Sequence, residues 1–192
     1  MSIPRLRSTS LLVAALLAGG FTLPALAQNA AADKQVMAAK SLSDDDRELM
    51  LKATGSGLFE IEASKLAAKK SQNPEIKRYA AMLVKDHTAA SEELKAIAQS
   101  LPLRLPRNMP DGEKAEFNKM TKMDAAEFDQ NYMKVVGIEH HRTDIAMFEE
   151  RVEKAEQPKV KAFATKTLPK LKAHLAAAEK IGSGGMAASA AK

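Results

Sequence analysis

The chain has 192 residues, of which 45% are hydrophobic and 28% charged, with a formal net charge of +5 and no cysteine. Without cysteine, we expect neither a disulfide nor a lipoprotein-type lipid anchor. Lysines and arginines are mixed with almost as many acids, and aromatic residues are few. This charge pattern does not predict a nucleic-acid-binding surface.

The first 27 residues have the pattern of a secretory signal peptide. Arg5 and Arg7 give a basic start, and the apolar run Leu11–Phe21 is too short to span a membrane. Ala25–Ala27 fits a cleavage site before Gln28. Cleavage would remove two arginines and no acid, which lowers the formal net charge from +5 to +3. We therefore expect a periplasmic protein, with an uncleaved N-terminal anchor as the alternative.

Four long helices and no strand are predicted for the rest of the chain, with apolar residues at the three-four spacing that a helical bundle requires. A flexible segment at residues 28–42 precedes the first helix, which Ser43 caps. Within this helix, the glycines of Thr54–Gly57 would allow another helix to approach closely. Pro74 begins the second helix, which runs to about Ser100.

A long connection separates the second helix from the third. Three prolines and a glycine lie between Leu101 and Gly112, which predicts a loop, and a short helix is expected near residues 113–122. Asp124 caps the third long helix, which continues to about Glu156. A connection of this length favours a ferritin-like bundle with one crossover, and an up-down-up-down bundle is the alternative.

Pro158 begins the fourth long helix, and Gly182 predicts its end after Ile181. The small and polar residues 183–192 are expected to be disordered. The sequence therefore predicts an all-α protein with one ferritin-like four-helix bundle domain over residues 43–182.

Each long helix has one ionisable side chain on its inner face. His87, His141 and His174 lie on the apolar seams of the second, third and fourth helices, and Glu60 lies among small residues on the first. A rise of about 1.5 Å per residue puts all four near the middle of the bundle, while His140 is rotated by about 100° toward the flank. The predicted seam of the third helix consists of Phe128, Val135, Ile138, His141, Ile145, Phe148 and Val152.

Two interpretations of this cluster remain open. Three imidazoles and a carboxylate suit a single zinc, copper or iron ion with an open coordination position. Alternatively, the groups form a buried hydrogen-bond network in which Glu60 holds one histidine, and Ser64, Thr167 or water satisfy the others. The network ranks first, because spacing alone does not distinguish a metal site from satisfied buried histidines.

Known catalytic patterns are missing around these histidines. The residues three positions earlier are Val84, Ile138 and Leu171, which excludes the Glu-x-x-His pattern of di-iron bundles. The chain also has no Gly-rich phosphate loop and no nucleophile elbow. We therefore expect a protein without enzymatic activity.

Several neighbouring polar residues are weaker candidates. Asp86 and Glu139 are interpreted as solvated helix charges, and Asp144 as a partner of His141 behind a metal ion. Tyr79 and Tyr132 are expected to pack with one edge exposed to water.

The chain resembles the bacterial domain-of-unknown-function family 4142 over about Leu49 to Ile181. The matching stretches are "FEIEASKLAAKKSQNPEIKRYAAMLVKDHTAASEELKAIA", "FDQNYMKVVGIEHHRTDIAMFEE" and "LPKLKAHLAAAEKI". The positions that carry the resemblance are Glu60, Asp86, His87, Phe128, Asp129, His141 and His174. Family members are often labelled outer membrane proteins and are placed in the ferritin-like superfamily. The resemblance implies this fold and an exported location, and it implies little about activity.

One position departs from the family pattern. The family often has an acid just before the third-helix histidine, where this chain has His140. The extra imidazole is either a flank residue or an accessory ligand.

Three functional hypotheses follow. The first is a non-enzymatic envelope or stress protein with a structural or partner-binding role, whose partner would be another envelope protein. The second is a metal-binding or metal-dependent redox protein that uses Glu60, His87, His141 and His174. The third is association with a membrane surface, which is weak because lysines such as Lys65 lie among acids. Neither a later transmembrane segment nor association with the outer membrane is predicted by the sequence.

Overall fold

A computed structural model describes residues 42–190, with side chains to residue 182. The predicted signal peptide and nearly all of the predicted flexible segment lie outside the described residues. The described part of the chain is helical without strands, which confirms the predicted all-α class. Its elements are α1 (Asp44–Lys70), α2 (Pro74–Ala98), α3 (Asp111–Met120), α4 (Ala125–Tyr132), a π-helical segment (Met133–His140), α5 (His141–Lys154) and α6 (Pro158–Ala190).

Local capping signals fix where the long helices begin. The Ser43 hydroxyl accepts the Asp46 N–H at 3.1 Å, and the Asp124 carboxylate accepts the Glu127 N–H at 2.9 Å. Caps of this kind stabilise a helix by about 1 kcal/mol each. Pro74 is the first residue of α2, where its missing N–H costs no helical hydrogen bond. The starts predicted at these positions are confirmed.

The two tight turns lie at opposite ends of the bundle. The Gln157 N–H donates to Asp46 Oδ2 at 2.9 Å, so the α5–α6 turn adjoins the start of α1. Lys70 Nζ donates to the Thr121 carbonyl at 2.9 Å, so the third long helix starts beside the end of α1. Residues 99–124 therefore run the length of the bundle, from the end of α2 to the start of α4. The long connection that the sequence predicted is confirmed, and it is a crossover.

Neighbour relations among the helices agree with this topology. Helix α1 packs against α2 and α5, and α6 packs against α2 and α5. The second and third long helices are therefore diagonal to each other. Two apolar clusters fill the core, one around Phe59 and Tyr132 and the other around Leu49 and Phe163. Along α2, α5 and α6, the inner histidines lie between these clusters.

The π segment changes which residues of the third long helix face the core. It buries Met133, Val136 and Gly137, whereas the predicted α-helical seam had Val135 and Ile138, which are only half-buried. The seam prediction is wrong at these two positions because the i→i+5 turns of a π-helix are wider than α-helical turns. The wider turns place Val136 and Gly137, which lie between the two predicted positions, on the inner face.

The close approach predicted at the glycines of α1 involves the crossover connection instead of a helix. A Cβ atom on Gly55 would lie 2.9 Å from the Cγ atom of Pro110. On Gly57, a Cβ atom would meet nothing within 4 Å.

The end of the last helix differs from the prediction. Helix α6 continues through Gly182 to Ala190, so the helix end predicted after Ile181 is wrong. Residues 183–190, which were predicted to be disordered, follow this helical course. No helix in the described part of the chain is both long and apolar enough to cross a membrane.

Candidate metal centre

The structure brings together all four residues that the sequence singled out. Glu60 from α1, His87 from α2, His141 from α5 and His174 from α6 have exposed fractions of 0%, 7%, 0% and 3%. The three imidazole centroids are 5.3 to 5.7 Å apart. One potential ligand atom from each histidine lies within 4.8 Å of the other two. These four residues are called the core cluster below.

A backbone carbonyl of the π segment fixes the tautomer of His141. His141 Nδ1 lies 2.8 Å from the Val136 carbonyl oxygen, five residues earlier. A carbonyl only accepts, so Nδ1 carries the hydrogen and donates it. The other ring nitrogen, Nε2, then has a lone pair and no hydrogen when the ring is neutral.

A carboxylate fixes the opposite tautomer of His174. His174 Nε2 lies 3.0 Å from Asp86 Oδ2. Burial raises the pKa of Asp86, but hydrogen bonds from His174 and Lys170 outweigh it and hold the pKa below its ordinary value. Ionised Asp86 only accepts, so His174 donates from Nε2 and keeps a lone pair on Nδ1.

The two lone pairs face each other. His141 Nε2 and His174 Nδ1 are 3.2 Å apart, so a proton or a cation between them is needed for attraction. Burial lowers the pKa of His141 to about 4, and burial also lowers the pKa of His174. A shared proton is therefore disfavoured at neutral pH, whereas a metal ion would use both lone pairs.

His87 and Glu60 complete the core cluster. His87 Nδ1 lies 3.1 Å from Glu60 Oε2, and Glu60 Oε1 lies 3.5 Å from His141 Nδ1. Neither contact has hydrogen-bond geometry, so both Glu60 oxygens lack hydrogen-bond partners among the described residues. His87 Nε2, which takes part in neither contact, also lacks one. Burial, followed by the charges of His141 and His174, lowers the pKa of His87 to about 3. Burial raises the pKa of Glu60 well above its ordinary value, and the nearby charge of Asp144 raises it further.

Asp144 belongs to a separate hydrogen bond beside the core cluster. Its carboxylate accepts the Ser56 hydroxyl at 2.7 Å, and only 8% of the residue is exposed. Burial raises the pKa of Asp144 to about 6, although the Ser56 hydrogen bond lowers it. The predicted bond between Asp144 and His141 is absent among the described contacts, and Asp144 acts on Glu60 only through its charge.

Other sequence interpretations need correction. Asp86 is not a solvated helix charge, because it holds His174 from the α2 side. Ser64 bonds the Tyr132 hydroxyl at 2.8 Å instead of a histidine, and Tyr132 has no exposed edge. His140 packs against Phe59 outside the core cluster, with ring centroids 4.7 Å apart and ring planes tilted by 37°.

The donor set fits a tetrahedral metal ion. Metal–nitrogen distances of about 2.0–2.1 Å in a tetrahedron correspond to nitrogen–nitrogen separations of about 3.3 Å. The observed 3.2 Å between His141 Nε2 and His174 Nδ1 matches that value. The ligand atom of His87 lies within 4.8 Å of those of His141 and His174. It would therefore move by about 1.5 Å at most to reach the tetrahedral separation of about 3.3 Å from each of them. Three imidazoles would leave one position for Glu60 or an external ligand.

Together, the fold and the core cluster define a class of protein, an all-α bundle with one crossover and a buried histidine-carboxylate centre. This chain belongs to the DUF4142 family, a domain of unknown function, whose family model matches residues 31–181. The family membership that the sequence predicted is thereby confirmed. No curated protein and no solved structure matches the chain significantly.

Proposed function

We propose that this protein binds one divalent transition-metal ion through His87, His141 and His174, and that zinc is the ion that fits best. The observation that carries the proposal is the pair of facing lone pairs on His141 and His174 at 3.2 Å. Three imidazoles with a fourth position open are a common zinc ligand set. Tetragonal geometry, which Cu(II) prefers, is less compatible with this spacing.

The groups behind the histidines support a metal site. Metal-bound histidines usually donate their second N–H to a carbonyl or carboxylate, which orients the ring and raises its basicity. His141 donates to the Val136 carbonyl, and His174 donates to Asp86. Glu60 lies where it could orient His87 or bind the ion directly, 3.1 Å from His87 Nδ1.

A hydrogen-bond network made of the described residues alone, without metal or water, leaves three buried atoms of the core cluster unsatisfied. Both Glu60 oxygens and His87 Nε2 are buried without hydrogen-bond partners among the described residues. Each such group costs about 1–3 kcal/mol, and more when it is charged. A divalent ion would offset this cost, so the order of the two interpretations is reversed from the one that the sequence favoured.

The cellular context remains a separate proposal. The signal-peptide pattern of residues 1–27 favours a metal-binding protein of the periplasm. A structural or partner-binding role in the envelope stays a prediction that the described residues do not test.

The test is zinc stoichiometry and affinity of the untagged protein after chelator treatment, measured by competition with a chromophoric chelator. We expect one zinc per chain for the wild type. His141→Asn, which removes Nε2, should lower the affinity by more than about 100-fold. The matched control is His140→Asn, one residue earlier and outside the core cluster, which should leave the affinity unchanged.

Folding must be measured separately on both variants. Urea unfolding without zinc shows whether His141→Asn preserves the bundle, so that a lost site is distinguished from a lost fold. Wild-type affinity in His141→Asn, or no zinc binding by the folded wild type, would overturn the proposal.

A further inference from the structure

A cleft between α2 and α6 leads from the surface to the core cluster. Its cavity of about 40 Å³ is lined by Asp86, His87, Lys166, Lys170 and His174, among others. Both lysines are exposed, whereas His87 and His174 are buried. The α2–α6 cleft therefore connects solvent with two of the three proposed ligands.

A second, smaller cavity lies on the inner side of His87. Its volume is about 20 Å³, and Gly57, His87 and Asp144 line it. Ala90, Thr167 and Leu171 line both cavities, so the two spaces adjoin. Both spaces border His87, and the inner one also borders Leu94, Phe148 and Phe163 of the second apolar cluster.

The sizes of these spaces limit what can reach the ion. A cavity needs about 10–15 Å³ to hold one water molecule, so 40 Å³ holds about three water-sized atoms. A linear ligand of two or three non-hydrogen atoms fits this space. A five-membered ring such as imidazole has more atoms than this space holds while the surrounding side chains keep their positions.

Two lysines at the mouth of the α2–α6 cleft could each meet an anion, and each is paired with a carboxylate. Lys166 pairs with Glu93 at 2.7 Å and Lys170 with Asp86 at 3.3 Å. These lysines are 62% and 46% exposed, and ion pairs so exposed are weak and readily rearranged. The two lysines balance Asp86 and Glu93, so the attraction for an anion would come from the divalent ion and from a lysine that leaves its carboxylate.

We infer that the metal ion, which this inference takes from the proposed function, binds a small anion of two or three non-hydrogen atoms at its open position. The anion reaches the ion through the α2–α6 cleft, and Lys170 attracts it there. Larger ligands are excluded by size. The site thus selects its external ligand by the dimensions of the cleft and by the charges of the ion and of Lys170.

The test uses the protein loaded with Co(II), whose visible absorption reports the coordination of the ion, and azide as the anion. Azide should change the spectrum with saturation, and imidazole at the same concentrations should leave it unchanged. Lys170→Met should weaken azide binding by about fivefold through the loss of one charge. The matched control is Lys172→Met on the same helix, whose lysine pairs with Glu149 outside the cleft, and it should bind azide as the wild type does.

A second variant tests the route itself. Ala90→Leu fills the wall shared by the two cavities, so it should abolish the azide response while Co(II) still binds. Bound Co(II) with no azide response, with an equal response to imidazole, or with an unchanged response in both Lys170→Met and Ala90→Leu would overturn this inference alone. Failure of the folded wild type to bind Co(II) would overturn the metal centre and this inference together.

Discussion

The orientation of His141 and His174 depends on one proton acceptor for each ring. The Val136 carbonyl holds the Nδ1 hydrogen of His141, and Asp86 holds the Nε2 hydrogen of His174. If either acceptor were lost, its ring could change tautomer and present a hydrogen to the other. The metal affinity should therefore depend on residues that do not touch the ion.

Asp86→Asn tests this dependence. An amide accepts more weakly than a carboxylate and lacks its charge, so the zinc affinity should fall by about 10–100-fold, measured by chelator competition. Glu93→Gln is the matched control, because Glu93 also lines the cleft and pairs with a lysine but holds no histidine. Equal zinc affinities for both variants would show that Asp86 has no special part in the site.

Asp144 predicts a defined pH dependence of stability. Its folded pKa of about 6 is above the ordinary value of 3.8, so between these values the folded protein keeps a proton that the unfolded chain loses. The stability contributed by this proton is present below pH 3.8 and is lost as the pH rises to about 6. The wild type should therefore lose about 2–3 kcal/mol relative to Asp144→Asn across this range, with no further change above it.

The measurement is urea unfolding of both proteins, without metal, between pH 4 and pH 7. Glu149→Gln serves as the control, because Glu149 is an exposed carboxylate on the same helix. Its unfolding free energy should follow that of the wild type at every pH. If the unfolding free energy of Asp144→Asn also followed that of the wild type at every pH, the carboxyl of Asp144 would have an ordinary pKa.

At the residue scale, the sequence predicted which histidines are buried better than it predicted their hydrogen-bond partners. Helical spacing identified His87, His141 and His174, because an apolar seam marks the buried face of a helix. The sequence did not predict the hydrogen bond from His174 to Asp86. Asp86 lies one position off the apolar seam of α2, and its partner depends on where α6 packs. A backbone acceptor such as Val136 leaves no signal in the side-chain pattern.

At the scale of elements, the π segment is the feature that links the third long helix to the core cluster. Its last residue is His140, and His141 directly follows it. Wide turns of this kind are rare and often occur at functional sites. Here they supply the Val136 carbonyl to His141 while keeping Val136 itself in the apolar core. Periodicity did not predict the segment, since an α-helical pattern fits the same residues almost as well.

The two buried glycines of α1 form a matched pair for testing the crossover. Alanine favours a helix over glycine by about 1 kcal/mol, and Gly57→Ala should gain this amount because its Cβ meets nothing within 4 Å. Gly55→Ala should be less stable than the wild type by about 1 kcal/mol or more, because its Cβ would lie 2.9 Å from Pro110. Urea unfolding measures both changes. Equal increases in the unfolding free energy of the two variants would mean that the crossover connection does not pack closely against Gly55.

At the scale of the whole molecule, the crossover determines which helices are neighbours. It lets α5 pack between α1 and α6, so that His141 and His174 meet across one helix pair while Glu60 and His87 meet across another. Helix lengths, caps and the long connection predicted an all-α bundle correctly. The direction of the connection needed contacts between distant residues, such as Gln157 with Asp46 and Lys70 with Thr121.

The central claim is that three histidines from three helices hold one ion. X-ray absorption at the zinc edge, on the protein loaded with one equivalent of zinc, tests it most directly because it counts imidazole ligands. We predict three imidazole nitrogens at about 2.0–2.1 Å and one further oxygen or nitrogen, with two imidazoles remaining in His141→Asn. A zinc ion surrounded mainly by oxygen atoms, or an identical spectrum for the wild type and His141→Asn, would contradict the claim.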